Sequence, residues 1–280
     1  MGSGRQSVEE RGGMAAQVRL GDVHTWYAEH GAGEPLVMLH GGLGDSRDFD
    51  GVVGEFATRY RVFRPDRRGH GRTPDVEGPM SYALMAHDTI AFLESVVNGP
   101  AHLVGYSDGA TVALQVALLR PDLVRRAVAI SGVFHHEGTV PGILDDTSGE
   151  PAGLPDLIVN AYGEVSPDGV EHLPVVAAKV MRMAVEGPTL TVDDLAHVAV
   201  AVQVMVADDD IVALEHAVAM YRAIPRSELA VVPGTSHTLV FERPELCASL
   251  ALDFVDGSVS APMMPVRRGR PGPPLAPPER

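Results

Sequence analysis

Residues 101–119 read AHLVGYSDGATVALQVALL, and at their centre stand Gly105, Tyr106, Ser107, Asp108 and Gly109. The apolar run before this centre has the length of a buried strand, and the run after it has the length and periodicity of a buried helix. A serine therefore sits between two glycines at a strand-to-helix turn. Such a turn lifts the hydroxyl above the sheet edge in a strained backbone conformation, and side chains two residues to either side would collide. Gly105 and Gly109 meet that demand. The first helical turn also offers free N–H groups to a reacting carbonyl. Ser107 is thus a candidate nucleophile, set against the plainer alternative of an N-cap serine with no chemistry.

The flanking sequence repeats the strand–helix rhythm. From Gln17, QVRL and VHTWYAEHG predict two strands about a tight turn, and EPLVMLHGG (34–42) predicts a short buried strand ending in glycines. SRDFDGVVGEFA is a helix candidate with Ser46 as its cap, YRVFRPD (60–66) a strand, and SYALMAHDTIAFLESVV a helix stopped by Asn98-Gly99-Pro100. VRRAVAISG (124–132) is a further strand. Strands apolar throughout and alternating with helices predict an α/β fold with a mostly parallel sheet covered on both faces. From about His135 to His197 the rhythm breaks into helical segments, DLIVNAYGEV, LPVVAAKVMRMAVE and TVDDLAHV. It resumes with the strand VAVQVMVADDD (200–210), a helix, the strand SELAVVPG and a last helix, RPELCASLALDFV.

A serine hydroxyl needs a base, a group to orient that base, and donors for the oxyanion. For a nucleophile on this kind of turn the partners follow in the order Ser, Asp or Glu, His. His237 ends VVPGTSH in the loop after the last strand, at the sheet edge where α/β sites form; the alternative is a structural loop histidine. His216 points from a helix, and His40 and His70 precede the serine. The acid is expected where VMVADDD closes its strand: Asp208 ends it, and Asp210, two residues into the loop, is the favoured partner, with Asp209 the alternative. HGGLGDS (40–46) lacks the spacing of a phosphate-binding loop. It is better read as the second half of an oxyanion hole, the Gly42 N–H pairing with the Asp108 N–H.

HGG at 40–42, PDRRGHGRT at 65–73, GYSDG at 105–109, ADDD at 207–210 and GTSH at 234–237, in that order, resemble the α/β-hydrolase superfamily from about residue 17 to 256. The resemblance implies an eight-stranded, mostly parallel sheet, a helical cap inserted after the sixth strand, and a serine hydrolase that needs no cofactor and no metal. One departure is Ala207, where the family often has glycine. The implied organisation is a flexible leader at 1–16, a core formed by 17–134 and 198–257, a cap at 135–197 and a disordered tail at 258–280. Met14 is a candidate start. GYSDG is also similar to the GWSDG segment of valacyclovir hydrolase-like esterases, which cleave amino-acid esters through such an aspartate. That implies a substrate-binding role for Asp108, against the simpler reading of an acid favoured by the helix dipole.

Composition narrows the function classes. A net charge of -15 repels phosphate backbones and anionic lipid, so the expected partner is a small-molecule substrate, with no nucleic acid and no membrane. No apolar run reaches the roughly 18 residues of a membrane span, the first residues lack the apolar stretch of a signal peptide, and the lone cysteine, Cys247, fits a reducing, cytoplasmic setting. His135-His136 invites a zinc reading, but adjacent histidines are expected to point apart and no third ligand is spaced for one. Asp66 and Arg67 are expected to pair locally. The leading expectation is hydrolysis of a small carboxylic ester or lactone. A cofactor-free haloperoxidase or perhydrolase, a C–C bond hydrolase and a ligand-binding receptor are the alternatives, and oligomeric state is not encoded in any recognised motif.

Overall fold

The computed structural model describes residues 7–10, 13–143, 153–257 and 263–265. In chain order the elements are β1 (Ser7–Glu10), β2 (Gly13–Leu20), β3 (Val23–His30), β4 (Glu34–Leu39), α1 (Val53–Ala57), β5 (Tyr60–Pro65), α2 (Tyr82–Phe92), β6 (Ala101–Tyr106), α3 (Asp108–Leu119) and β7 (Val124–Ile130). There follow α4 (Asp156–Val165), α5 (Leu173–Glu186), α6 (Val192–Leu195), β8 (Ala201–Asp209), α7 (Leu214–Ala223), β9 (Ser227–Ser236), α8 (Leu239–Glu242) and α9 (Pro244–Asp256). The strands form one sheet in the order β1-β2-β3-β5-β4-β6-β7-β8-β9. The first three pairings are antiparallel and every pairing from β5 onward is parallel.

Strands β2 to β9 are the eight expected; β1 is a ninth, added at the edge by a hairpin onto β2. Part of the expected leader therefore lies in the sheet. Met14 pairs with Glu9 on one side and Glu29 on the other, and β2 begins at Gly13, ahead of Gln17. Edge pairing runs through backbone groups and needs no apolar run to announce it. Of the expected tail, residues 258–262 and 266–280 lie outside the described residues.

Central strand β6 is buried at all six positions, which explains its unbroken apolar sequence. One face of the sheet packs on α2, α3 and α7, burying Met85, Phe92, Val112, Leu114 and Met220; the other packs on α1, α8 and α9, burying Phe56, Leu239 and Phe254. Each fully buried Leu, Met or Phe side chain stabilises the fold by about 1.5–3 kcal/mol relative to exposure. Helices α4, α5 and α6 all fall between β7 and β8, and Leu173, Val176, Val180 and Met183 of α5 join the α2–α3 side of the core. The carboxyl ends of β4, β6, β7, β8 and β9 consequently lie side by side.

Candidate active site

Ser107 links β6 to α3 with φ 52° and ψ -119°, a left-handed conformation that costs a non-glycine residue about 1–3 kcal/mol. The turn is tight on both sides. A Cβ on Gly105 would lie 2.3 Å from Gly109 O, and one on Gly109 would lie 2.0 Å from Leu39 O. The Ser107 side chain makes no cap hydrogen bond to α3. Its Oγ stands instead 3.0 Å from His237 Nε2.

His237 directly follows β9, and its Nδ1 lies 2.7 Å from Asp210 Oδ1. Strand β8 runs one residue past Asp208, where the sequence reading ends it. Asp208 and Asp209 belong to it and are exposed, and Asp210 is the first residue beyond. Asp208 accepts from Thr235 N, and Asp209 is in register with Ser236. Asp210 accepts four donors: His237 Nδ1 and Val212 N on Oδ1, Ser131 Oγ and Ala207 N on Oδ2. Burial works to raise its pKa, but the hydrogen bonds from His237 and Ser131 outweigh it and hold the carboxyl below its ordinary value. An ionised Asp210 requires the proton on Nδ1 of the neutral ring, leaving Nε2 to accept from Ser107. Tyr106 adds support, donating from its hydroxyl to His237 O at 3.1 Å.

The loop after β4 is held from below. Arg67 Nη2 donates to His40 O (2.6 Å) and Gly41 O (2.9 Å), and His40 Nδ1 also lies 2.8 Å from Gly41 O. The Gly41 N–H donates to Asp48 at 2.9 Å. In a trans peptide the N–H points opposite to the C=O, so anchoring Gly41 O on Arg67 turns the Gly42 N–H away from Arg67. Burial drives the His40 pKa well below its usual value; it is a structural imidazole that accepts from Arg67 N. Arg67 does not pair with Asp66 as expected: Asp66 instead accepts from the N–H groups of Ser46 and Arg72. The buried loop carbonyls claim the guanidinium, and the free N–H groups of the turn claim the carboxylate.

A cavity of about 180 Å³ opens over Ser107, lined by Gly42, Tyr82, Asp108 and His237, with Val180, Met181 and Ala184 of α5 as one wall. No lysine or arginine among the described residues lines it. Asp108 is one of the residues lining this space. Its Oδ1 accepts from Tyr82 Oη at 2.7 Å, and its Oδ2 is buried with no hydrogen-bond partner among the described residues. A Cβ on Gly42 would come within 2.5 Å of that Oδ2, so a larger residue there would have to displace the Asp108 carboxylate. Burial, then the neighbouring Asp108 charge, pushes the Tyr82 phenol well above its ordinary pKa, so it donates.

The other histidines are elsewhere. His216 stacks on Phe134 (ring centroids 3.9 Å), accepts from Phe134 N and is pushed down to about 4 by burial. His135 and His136 do not point apart; their rings stack at 4.5 Å. No group of three or more metal-ligating side chains is found among the described residues. Ser131, Tyr82 and Tyr106 were not anticipated as parts of the site. Their partners lie 79, 26 and 131 residues away, beyond any local pattern.

An open sheet with a strained serine after its central strand, and an Asp–His pair at the next strand ends, defines a class. The chain belongs to the alpha/beta hydrolase family, whose model matches residues 36–250. It is 28% identical over 264 residues to a 2-hydroxy-6-oxo-6-(2'-aminophenyl)hexa-2,4-dienoic acid hydrolase of Metapseudomonas resinovorans, covering 85% of this chain and 89% of that protein. It is 31% identical over 108 residues to an (E)-2-((N-methylformamido)methylene)succinate hydrolase of Acinetobacter baylyi, covering 39% of this chain and 41% of that protein. The chain spans 40% to 46% of the length of four curated relatives it matches. A crystal structure of a serine hydrolase involved in carbazole degradation superposes with a TM-score of 0.71 at 23% identity, over 87% of this chain and 99% of that one, a likeness of fold. Among the described residues no helix is long and apolar enough to cross a membrane.

Proposed function

We propose that the protein is a serine hydrolase that cleaves a small carboxylic ester or lactone through an acyl-enzyme on Ser107. One observation carries this reading: the Ser107 hydroxyl is not spent on capping α3 and lies 3.0 Å from His237, which in turn lies 2.7 Å from Asp210. His237 takes the Ser107 proton as Oγ attacks the carbonyl carbon. The oxyanion accepts from the Gly42 and Asp108 N–H groups, where one such donor is worth about 10²–10³ in kcat. As the tetrahedral intermediate collapses, His237 gives its proton to the leaving alcohol. It then activates a water that hydrolyses the acyl-enzyme. Asp210 stays ionised and orients the imidazole. The helical segment between β7 and β8 serves as the cap, since α5 forms one wall of the cavity.

The cavity's chemistry supports a neutral or cationic substrate. A C–C bond hydrolase is the second reading, favoured by the Metapseudomonas resinovorans relative, whose named substrate is a dienoic acid. An anionic substrate would meet the negative charge of Asp108 here, with no lysine or arginine among the described lining residues to receive it, so ester or lactone cleavage is preferred. A fluorophosphonate probe tests the assignment. Wild type is expected to be labelled and Ser107→Ala is not, with p-nitrophenyl ester turnover lost in step. Absence of labelling in wild type refutes it.

A further inference from the structure

The carboxyl ends of β6 and β7 carry the same backbone device twice. Ser107 follows β6 with φ 52°, and Ser131 follows β7 with φ 51°. The Ser107 N–H donates to Ile130 O at the end of β7 (2.8 Å), and the Ser131 N–H donates to Met205 O in β8 (2.8 Å). Each serine hands its backbone donor one strand along the sheet and turns out of its own strand in a left-handed conformation. Glycine would adopt that conformation without strain, so a serine at 131 needs a compensating use of its hydroxyl.

That use is visible in its contacts. Ser131 is 3% exposed, and its Oγ donates to Asp210 Oδ2. Among the described residues the only other donor to Oδ2 is the Ala207 N–H at 3.1 Å, whereas Oδ1 receives His237 Nδ1 at 2.7 Å and Val212 N at 3.1 Å. A carboxylate rotates readily about its last torsion, and turning Oδ2 loose carries Oδ1 off the imidazole. We propose that Ser131 is a positioning residue of the hydrolytic site, its hydroxyl fixing the Asp210 carboxylate so that Oδ1 stays on His237. This rests on the roles assigned above to Ser107, His237 and Asp210.

Two variants separate the hydroxyl from the strained backbone. Ser131→Ala removes the donor and keeps the strain; Ser131→Gly removes both. Both are expected to lose about tenfold to hundredfold in kcat, the range for a lost hydrogen bond to a charged group, with KM little changed. Because a carboxylate with one donor fewer holds the imidazolium more strongly, the acid limb of the kcat/KM pH profile should move upward in both. Ser131→Gly should melt above Ser131→Ala. The downfield proton resonance of the His237–Asp210 hydrogen bond, which needs no turnover, should shift or broaden in Ser131→Ala. Wild-type kcat with an unmoved acid limb in Ser131→Ala overturns the proposal, as does recovery of activity in Ser131→Gly, which would make strain the cause. If wild type itself takes no probe and turns over no ester, the hydrolase reading fails; the downfield resonance then decides for Ser131, and an unchanged one overturns its role.

Discussion

Asp108 stands one residue after the proposed nucleophile, and its charge opposes the oxyanion that Ser107 chemistry would create. Two like charges about 5 Å apart at an effective dielectric of about 20 repel by about 3 kcal/mol. Tyr82 donates to one carboxylate oxygen, so part of the penalty is offset. Oδ2 has no partner among the described residues but is enclosed against Gly42, so any further offset has to reach the carboxylate across the cavity that Asp108 lines. A protonated amine there would convert repulsion into attraction. Asp108→Asn is therefore expected to cut kcat/KM on α-amino esters by about tenfold to hundredfold, while neutral esters of the same leaving group change little or improve. Equal loss on both series would remove Asp108 from substrate recognition. How far this site could be read in the sequence follows from geometry. Ser107 and His237 were legible because a parallel sheet gathers its strand ends along one edge. Asp210 was legible only to within its acidic run, since a strand end cannot be placed to one residue among three aspartates. The direction of the Asp108 side chain was not legible, because it is decided by Tyr82 from another helix.

Helix α5 supplies a wall of the cavity, and a charged cluster ties it to the core. Lys179 Nζ donates to Asp75 Oδ2 (2.7 Å) and to Val76 O (2.8 Å), and His172 Nε2, just ahead of the helix, lies 2.9 Å from the same carboxylate oxygen. Burial tends to raise the Asp75 pKa, but the Lys179 and His172 hydrogen bonds prevail and hold it below its ordinary value. Asp75→Asn keeps the shape and removes the charge. It should lower the free energy of opening α5 by about 1–3 kcal/mol, read by amide hydrogen exchange, with β6 amides unaffected. KM should rise as the wall loosens while kcat holds. Unchanged exchange along α5 would mean that its apolar contacts alone seat it. At this level the sequence was most informative: DLIVNAYGEV and LPVVAAKVMRMAVE are α4 and α5 in full. It was least informative where apolar periodicity is absent. Strand β1 has no such pattern, and SRDFDGVVGEFA divides into a 3-10 turn at Ser46–Phe49, capped by Asp45 rather than Ser46, and the short α1.

The stability of the molecule as a whole is set by buried titrating groups that pull in opposite directions. Burial raises Asp48 to about 7 and Asp66 to about 6. Each folded carboxyl then binds a proton that the unfolded chain, near pKa 4, has already released. Their contributions to stability are present at low pH and are lost as pH rises from about 4 toward these values. Burial also lowers His70 to about 3 and His216 to about 4, so the unfolded chain takes up protons first as pH falls below about 6.5. Those contributions run the other way, present near neutrality and lost on acidification. The two sets overlap between about pH 4 and 7, and each masks the other. Asp48→Asn removes one side while its carboxamide oxygen can still accept from the Gly41 N–H that Asp48 now holds. The stability of the variant relative to wild type should therefore grow with pH across this window, by at most about 1.4 kcal/mol per pH unit for one proton, and level off above about 7. Urea unfolding at pH 5, 6, 7 and 8 measures the difference directly. Parallel curves for the two proteins would show that Asp48 does not titrate between pH 5 and 8, and that the loop after β4 rests on an aspartate already ionised at the lower limit.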